Sequence, residues 1–337
     1  MVSPTSQDVA KKAKVSIATV SRVLNNSPRV SPNVRRRVLQ VVKKLDYQPN
    51  RTAQRLRAKQ SRVIGIMISD IQNPFFTSVV RGIEDIAYQQ GYSVVLCNSD
   101  EDPQKEGLYI NVMRAESVAG VIIASTSESA SQVGDLLKHN IPVVAIDREI
   151  KSRQIDSVLV SNEEGSFDAV SHLVGRGHRA IGFIGLPLTY TPGKERYQGY
   201  RRALQQHQLP VTKAYLRFSN AKQQGGYTSA MDLLKKQPGI TALFVANNLM
   251  TLGALDAIRE RGLKIPEDIS IISFDDMAWA KLLQPPLSAV AQPTYELGKR
   301  AAELLLERLH QRDRPFVHER LKTTVVIRGS TSEPRLA

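Results

Sequence analysis

The sequence predicts an all-α helix-turn-helix head at the N-terminus, followed by an α/β body of two doubly wound lobes. Three observations carry this expectation. Positive charge is concentrated in residues 1–61, where 14 Lys and Arg stand against Asp8 and Asp46 alone. Three short amphipathic segments, each preceded by a capping residue, fill most of that stretch. From Arg62 onward, short apolar runs alternate with amphipathic stretches, the grammar of parallel strands joined by crossover helices.

The totals bound the answer. A chain of 337 residues is too long for one core of ordinary size, so several domains are expected. Its 42% hydrophobic and 23% charged residues fit a soluble globular protein, and no apolar run reaches the length of a membrane helix. The start, "MVSPTSQDVAKKAK", lacks the apolar stretch of a secretory signal, which predicts a cytoplasmic protein. Cys97 is the single cysteine, so neither an internal disulfide framework nor a cysteine metal cluster is expected, and no cofactor is implied. The net charge of +14 is distributed unevenly: +12 falls on residues 1–61 and +2 on the remaining 276. A basic head on a near-neutral body points to a polyanion partner.

Within the head, "TSQDVAKKAKVSIATVSRVLNN" reads as two short helices with a tight turn between them. Thr5 or Ser6 can cap the first, and Val9, Ala10 and Ala13 form its apolar stripe. Ser16 can cap the second, with Thr19, Val20, Val23 and Leu24 as core candidates. Its other side carries Ser16, Ile17, Ala18, Ser21 and Arg22, a set that packing does not explain. A third helix begins after Ser31, with Pro32 in its first turn and Val34, Val38, Leu39, Val41, Val42 and Leu45 at helical spacing. In a helix-turn-helix unit the second helix enters the major groove with its N-terminal residues at the base edges. Ile17 and Ala18 suit thymine methyls or leave room for a base, and Arg22 can fork onto guanine or a phosphate. Thr19, Ser21 and Asn25 can bond phosphates, which fix register without reading sequence.

After the head, "YQPNRTAQRLRAKQS" forms a basic link. Pro49 ends the preceding structure, Asn50 can cap, and the helix formers that follow make barely two turns, a marginal helix in isolation. In the body, "RVIGIMIS", "YSVVLCNS", "GVIIAS" and "IPVVAID" read as buried parallel strands, with "FFTSVVRGIEDIAYQQG" as a crossover helix. A second set includes "AIGFIG", "ALFVAN" and "ISIISF". Ligands of such folds lie beyond the carboxyl ends of the strands, so the polar residues there matter: Asp70, Asn73, Asp147, Arg148, Asn247, Asn248, Asp275 and Asp276.

The segments "DVAKKAKVSIATVSRVLNN", "VSPNVRRRVLQVVKKLDYQPN" and "RTAQRLR" resemble the lactose/galactose-repressor family of bacterial transcription regulators. So do "VIGIMISDIQNPFF", "IPVVAIDR", "GHRAIGFIG", "ERYQGYRRAL", "LKIPEDISIISFDD" and "QPPLSAVAQPTYELGKRAAELL", in order along nearly the whole chain. The resemblance implies a body of periplasmic-binding-protein type, its lobes joined by three crossovers, with effector contacts at Phe75, Asp147, Arg196, Phe218, Asn247 and Asp275. It also implies hinge helices that form on DNA, with Leu56 as a wedge in the minor groove, Ala53 allowing close helix approach, and Arg55 and Arg57 on flanking phosphates. Lys14 and Asp46 stand where the family usually has glycine, and Asn248 replaces its usual acid. A left-handed backbone at Lys14 costs about 1 kcal/mol relative to glycine. Tyr190 and Trp279 are candidates either for further aromatic platforms or for core or surface packing.

Other chemistries fail on their residues. "GLPLTYTPGKE" has Leu188 where a phosphate loop needs its first glycine and Glu195 in place of Ser or Thr. Asp275 and Asp276 lack a nucleophile or metal motif, and His172, His178 and His207 lack metal-ligand spacing. The chain therefore reads as a non-enzymatic regulator, not bound to membranes. It is expected to act as a homodimer on a double-stranded, palindromic operator under the control of a small-molecule effector, a sugar or sugar derivative. The alternatives are a solute-binding protein of a transport system and a repressor governed by a purine or a protein. Expected domains are 1–46, 47–61 and 62–337, the last split into lobes of about 62–160 plus 292–322 and 161–291 plus 323–330. Leu56→Ala should lose specific operator affinity while weak nonspecific binding persists. Equal specific binding by the variant, measured by fluorescence anisotropy, would remove the wedge.

Overall fold

The computed structural model describes residues 4–24, 27–47 and 61–335, in two compact units of residues 1–61 and 62–337. In the first unit, helices α1 (Ser6–Ala13), α2 (Ile17–Leu24) and α3 (Pro32–Lys44) close on a small core of Val9, Ala10, Ala13, Val20, Val23 and Val38. Thr5 starts α1 with a reciprocal capping box: Asp8 N donates to Thr5 Oγ1 at 3.3 Å, and Thr5 N donates to Asp8 Oδ2 at 2.8 Å. Ser16 caps α2 by accepting from Thr19 N at 3.1 Å. Ser31 precedes α3 without a side-chain bond, and Pro32 occupies the first turn. The turns at Lys14 and Asp46 are left-handed, with φ of 51° and 45°.

The second unit holds two six-stranded sheets. The first contains β1 (Val63–Ile68), β2 (Ser93–Asn98), β3 (Gly120–Ile123), β4 (Val143–Ile146), β5 (Asp156–Val160) and β11 (His318–Leu321), in the order β11-β5-β4-β3-β1-β2 and all parallel. The second contains β6 (Ile181–Gly185), β7 (Leu216–Phe218), β8 (Ala242–Val245), β9 (Ser270–Phe274), β10 (Ser288–Ala291) and β12 (Thr324–Val326), in the order β12-β10-β9-β8-β6-β7. Only β12 runs antiparallel there. The chain passes between the sheets three times, after β5, after β10 and after β11. In each sheet the strand order reverses beside its first strand, β1 or β6. That places ligand crevices at the carboxyl ends of these strands.

Helices cover both faces. In the first lobe these are α4 (Pro74–Gln89), α5 (Pro103–Ala115), the short α6 (Gly134–Lys138) and α11 (Thr294–His310). In the second they are α7 (Asn162–Gly175), α8 (Thr191–Gln206), α9 (Gln223–Lys236) and α10 (Asn248–Glu260). One expectation is corrected: "YSVVLCNS" forms β2, a strand at the sheet edge and not a buried one. Val95 and Leu96 are 48% and 37% exposed because none of the described residues covers that edge.

The α4–α11 contact depends on two glycines. A Cβ at Gly298 would lie 1.9 Å from the Val79 carbonyl oxygen, and one at Gly82 would lie 2.2 Å from that of Tyr295. Backbone cannot yield as a flexible side chain does, so any larger residue must spread the helices. Gly298→Ala should lower stability by about 1–3 kcal/mol, read as a lower urea midpoint for the body. An unchanged midpoint would mean that the helices separate without cost.

Candidate functional site

On the head, packing separates the two sides of α2. Val20 and Val23 are buried, whereas Ser16, Ile17, Ala18 and Arg22 are exposed and Thr19 and Ser21 half-buried. Ile17 is an exposed branched aliphatic at the first position of a helix, flanked by two small residues. The Thr19 hydroxyl already bonds Ser16 Oγ at 2.9 Å, which ties both to the cap. Asn25, Asn50, Ala53, Arg55, Leu56 and Arg57 lie outside the described residues.

In the body, a cavity of about 250 Å³ opens between the lobes, at the carboxyl ends of β1, β4, β6, β8 and β9. Of the residues expected there, Phe75, Asp147, Arg196, Asn247 and Asp275 line it, as does Tyr190. Phe218 does not. It ends the three-residue β7, where its ring meets Tyr197 edge-on at 5.3 Å and Phe183 at 5.8 Å. The lining in that quarter comes from Asn220, Ala221 and Lys222, just beyond it. Trp279 packs on the core of the second lobe and contributes nothing to the cavity lining.

Arg196 enters from the first turns of α8 and is 3% exposed. Its Nε donates to Asn162 Oδ1 at 2.9 Å and its Nη1 to the Ala246 carbonyl at 2.7 Å, while the guanidinium lies 3.7 Å over the Phe274 ring. Asp147 and Asp275 act on it electrostatically without a direct ion pair, and burial lowers its pKa. Both carboxylates sit on left-handed backbone, with φ of 62° and 77°. Non-glycine residues hold such conformations at a cost of about 1–3 kcal/mol, and do so where surrounding structure imposes them. Asp275 accepts from Gln292 Nε2 and, at 3.3 Å, from Asn248 N. Asp147 accepts no hydrogen bond among the described residues; its nearest cation is Arg148 Nε, at 3.6 Å. Burial pushes the Asp147 carboxyl up to about 6, against the pull of Arg148 and Arg196, with Asp275 and Glu101 adding to the rise.

Local patterns gave no sign of the bonds that join the lobes around this cavity. Lys222 Nζ donates to Asp70 Oδ2 at 2.6 Å, and Asn248 Nδ2 donates to Asn73 Oδ1 at 2.8 Å. On the other side, Lys194 Nζ donates to both oxygens of Glu128 at 2.9 Å, and Thr191 Oγ1 donates to Glu128 Oε1 at 3.1 Å. Arg148 is clamped by Glu101 at 2.7 and 2.5 Å and stacks 4.1 Å from the Tyr190 ring centre, first lobe against second.

Residues 5–50 match the family described as bacterial regulatory proteins, lacI family, and residues 170–331 match the periplasmic binding protein-like domain. The chain is 36% identical to catabolite control protein A of Priestia megaterium over 308 residues, 90% of this chain and 92% of that protein. It belongs to the lacI family. Another lacI-family relative, the ribose operon repressor of Halalkalibacterium halodurans, is 36% identical over 329 residues, 97% of each chain. Among solved structures, the lac repressor dimer bound to operator and the anti-inducer ONPF aligns with a TM-score of 0.84 at 30% identity, over 98% of this chain and 100% of that one. The lacI-family relatives are transcription regulators and not enzymes, and this chain is likewise a DNA-binding transcription regulator with a periplasmic-binding-protein-like effector domain.

The raised Asp147 pKa has a sign in stability. Between its unfolded value near 3.9 and its folded value of about 6, the folded chain holds the extra proton. The favourable term is therefore complete below the unfolded value and lost as pH rises through 6. Removing the charge with Asp147→Asn should stabilise the ligand-free chain at pH 7.5 by on the order of 2–3 kcal/mol, a gain that shrinks toward pH 4.5. Thermal melts across that range check it; a gain independent of pH would contradict it.

Proposed function

We propose that the chain is a repressor that binds a near-palindromic operator as a homodimer in the cytoplasm, controlled by a sugar or sugar derivative in the interlobe cavity. The observation that carries this is the exposed tip of α2, with Ser16, Ile17, Ala18 and Arg22 exposed on the outer side of a head bearing +12. Phosphate contacts from such a head supply affinity that falls with salt, and the tip supplies base contacts that specify a site. The alternative, a solute-binding protein of a transport system, has no use for that tip.

A dimer is supported by apolar surface on the first lobe. Leu108 and Val112 on α5 are 60% and 48% exposed, on the same lobe as the open β2 edge. Apolar surface of this kind marks association sites on soluble proteins. Two heads related by a two-fold axis would read two half-sites. The effector acts by its differential affinity for two dispositions of the lobes, which is the only way it can shift the DNA-binding state.

Selection from a random duplex library tests the proposal. The expected product is one palindrome, preferred at least about 1,000-fold over scrambled DNA at the same salt. Arg22→Ala should cost about 1–3 kcal/mol and relax the preference at one position in each half-site. A chain that binds all duplexes alike would contradict it.

A further inference from the structure

We infer that the first lobe carries a second ligand site, remote from the interlobe cavity, for a small monocarboxylate with an aromatic or branched apolar body. The site is a hollow of about 230 Å³ at the amino ends of β4 and β5, whereas the interlobe cavity lies at the carboxyl end of β4. Among the described residues, none lines both. The inference therefore stands whether or not an effector occupies the interlobe cavity.

The floor of the hollow is apolar. Ile141 and Val143 are buried there, and the Phe316 ring forms one side while remaining 40% exposed. The Arg308 guanidinium stacks 4.0 Å from the centre of that ring and holds it in place. A dry cavity of roughly 150 Å³ admits benzene, so this one has room for a ring with a short side arm.

Positive charge borders the floor. The lining carries one carboxylate, Asp156, and two guanidinium groups, Arg308 and Arg312. Asp156 is already saturated: Arg308 donates to it at 3.1 and 3.2 Å, Arg314 at 3.0 and 3.1 Å, and Val317 N at 2.8 Å. Glu307 approaches Arg314 at 3.8 Å, which balances the second of those arginines. Arg312 is the cation left over. It is exposed, its Nη1 donates to the Asn140 carbonyl at 3.3 Å, and it makes no ion pair among the described residues. Its Nε and Nη2 remain as a fork that matches the two oxygens of a carboxylate. The side-chain amides of Asn140 and Gln154, also at the hollow, make no hydrogen bond among the described residues. Either can donate to the same anion.

The helix ends at the hollow favour a carboxylate over a phosphate. Residues 140–142 follow the C-terminus of α6, and Arg308 and Arg312 flank that of α11. Both dipoles present their negative ends, unlike the N-termini that hold phosphates. One fork against that background suits a single negative charge, and the apolar floor asks for a ring or branched chain beside it.

Calorimetry and ligand-observed NMR on the full chain test this with benzoate, phenylacetate, indole-3-acetate and 4-methylpentanoate, each beside its own primary amide, and with phenyl phosphate. One carboxylate should bind at least about 10-fold tighter than its amide, as a charge-assisted hydrogen bond provides. Arg312→Gln should remove that difference and leave the amide as it was, because the floor is unchanged. Gln154→Trp fills the mouth from an exposed position and should abolish binding of acid and amide alike. Melts of both variants without ligand separate lost binding from lost fold. Silence of every carboxylate at about 10 mM would overturn the inference. So would equal affinity for acid and amide, tighter binding of phenyl phosphate, or carboxylate binding that survives Gln154→Trp.

Discussion

The body is organised around a charge that is buried but not paired. Arg196 is fixed by Asn162, the Ala246 carbonyl and the Phe274 ring, all of its own lobe, while Asp147 faces it from the other lobe without touching. Buried charges normally find a partner within hydrogen-bonding distance, because desolvation is otherwise uncompensated. Here burial lowers the Arg196 pKa and raises that of Asp147 instead. A ligand that bridges the two removes a cost already present in the fold, which makes cavity occupancy and lobe disposition one equilibrium.

The remaining architecture keeps that gap at a set width. Three chain passages between the lobes allow them to rock but not to separate. The Lys222–Asp70 and Lys194–Glu128 pairs fasten opposite margins of the cavity, and the glycine contacts of α4 with α11 stiffen the first lobe. The left-handed residues Asp147 and Asp275 store local strain at the strand ends, where two carboxylates are thereby aimed inward before any ligand arrives.

Much of this was legible because the decisive residues stand next to strong local signals. Asp147, Asn247 and Asp275 directly follow buried apolar runs, and Thr5, Ser16 and Pro32 mark helix starts by their own chemistry. Phe218 rested on the family resemblance alone, with no signal in its own surroundings, and at the end of β7 its ring turns toward Tyr197 instead of the cavity. The β2 run looked buried because apolar content does not distinguish a covered edge from an open one. The interlobe bonds had no local trace at all: Lys222 lies 152 residues from Asp70 and Lys194 lies 66 from Glu128, and no periodicity encodes such pairs.

The central claim is that the cavity and the operator compete for, or share, one conformational equilibrium. Its most direct test is calorimetric titration of the effector into the free chain and into the chain–operator complex. Linkage requires the two effector affinities to differ by the same factor as the two operator affinities, about 5- to 150-fold for coupling of ordinary strength. Effector affinities that are equal with and without operator would contradict the account.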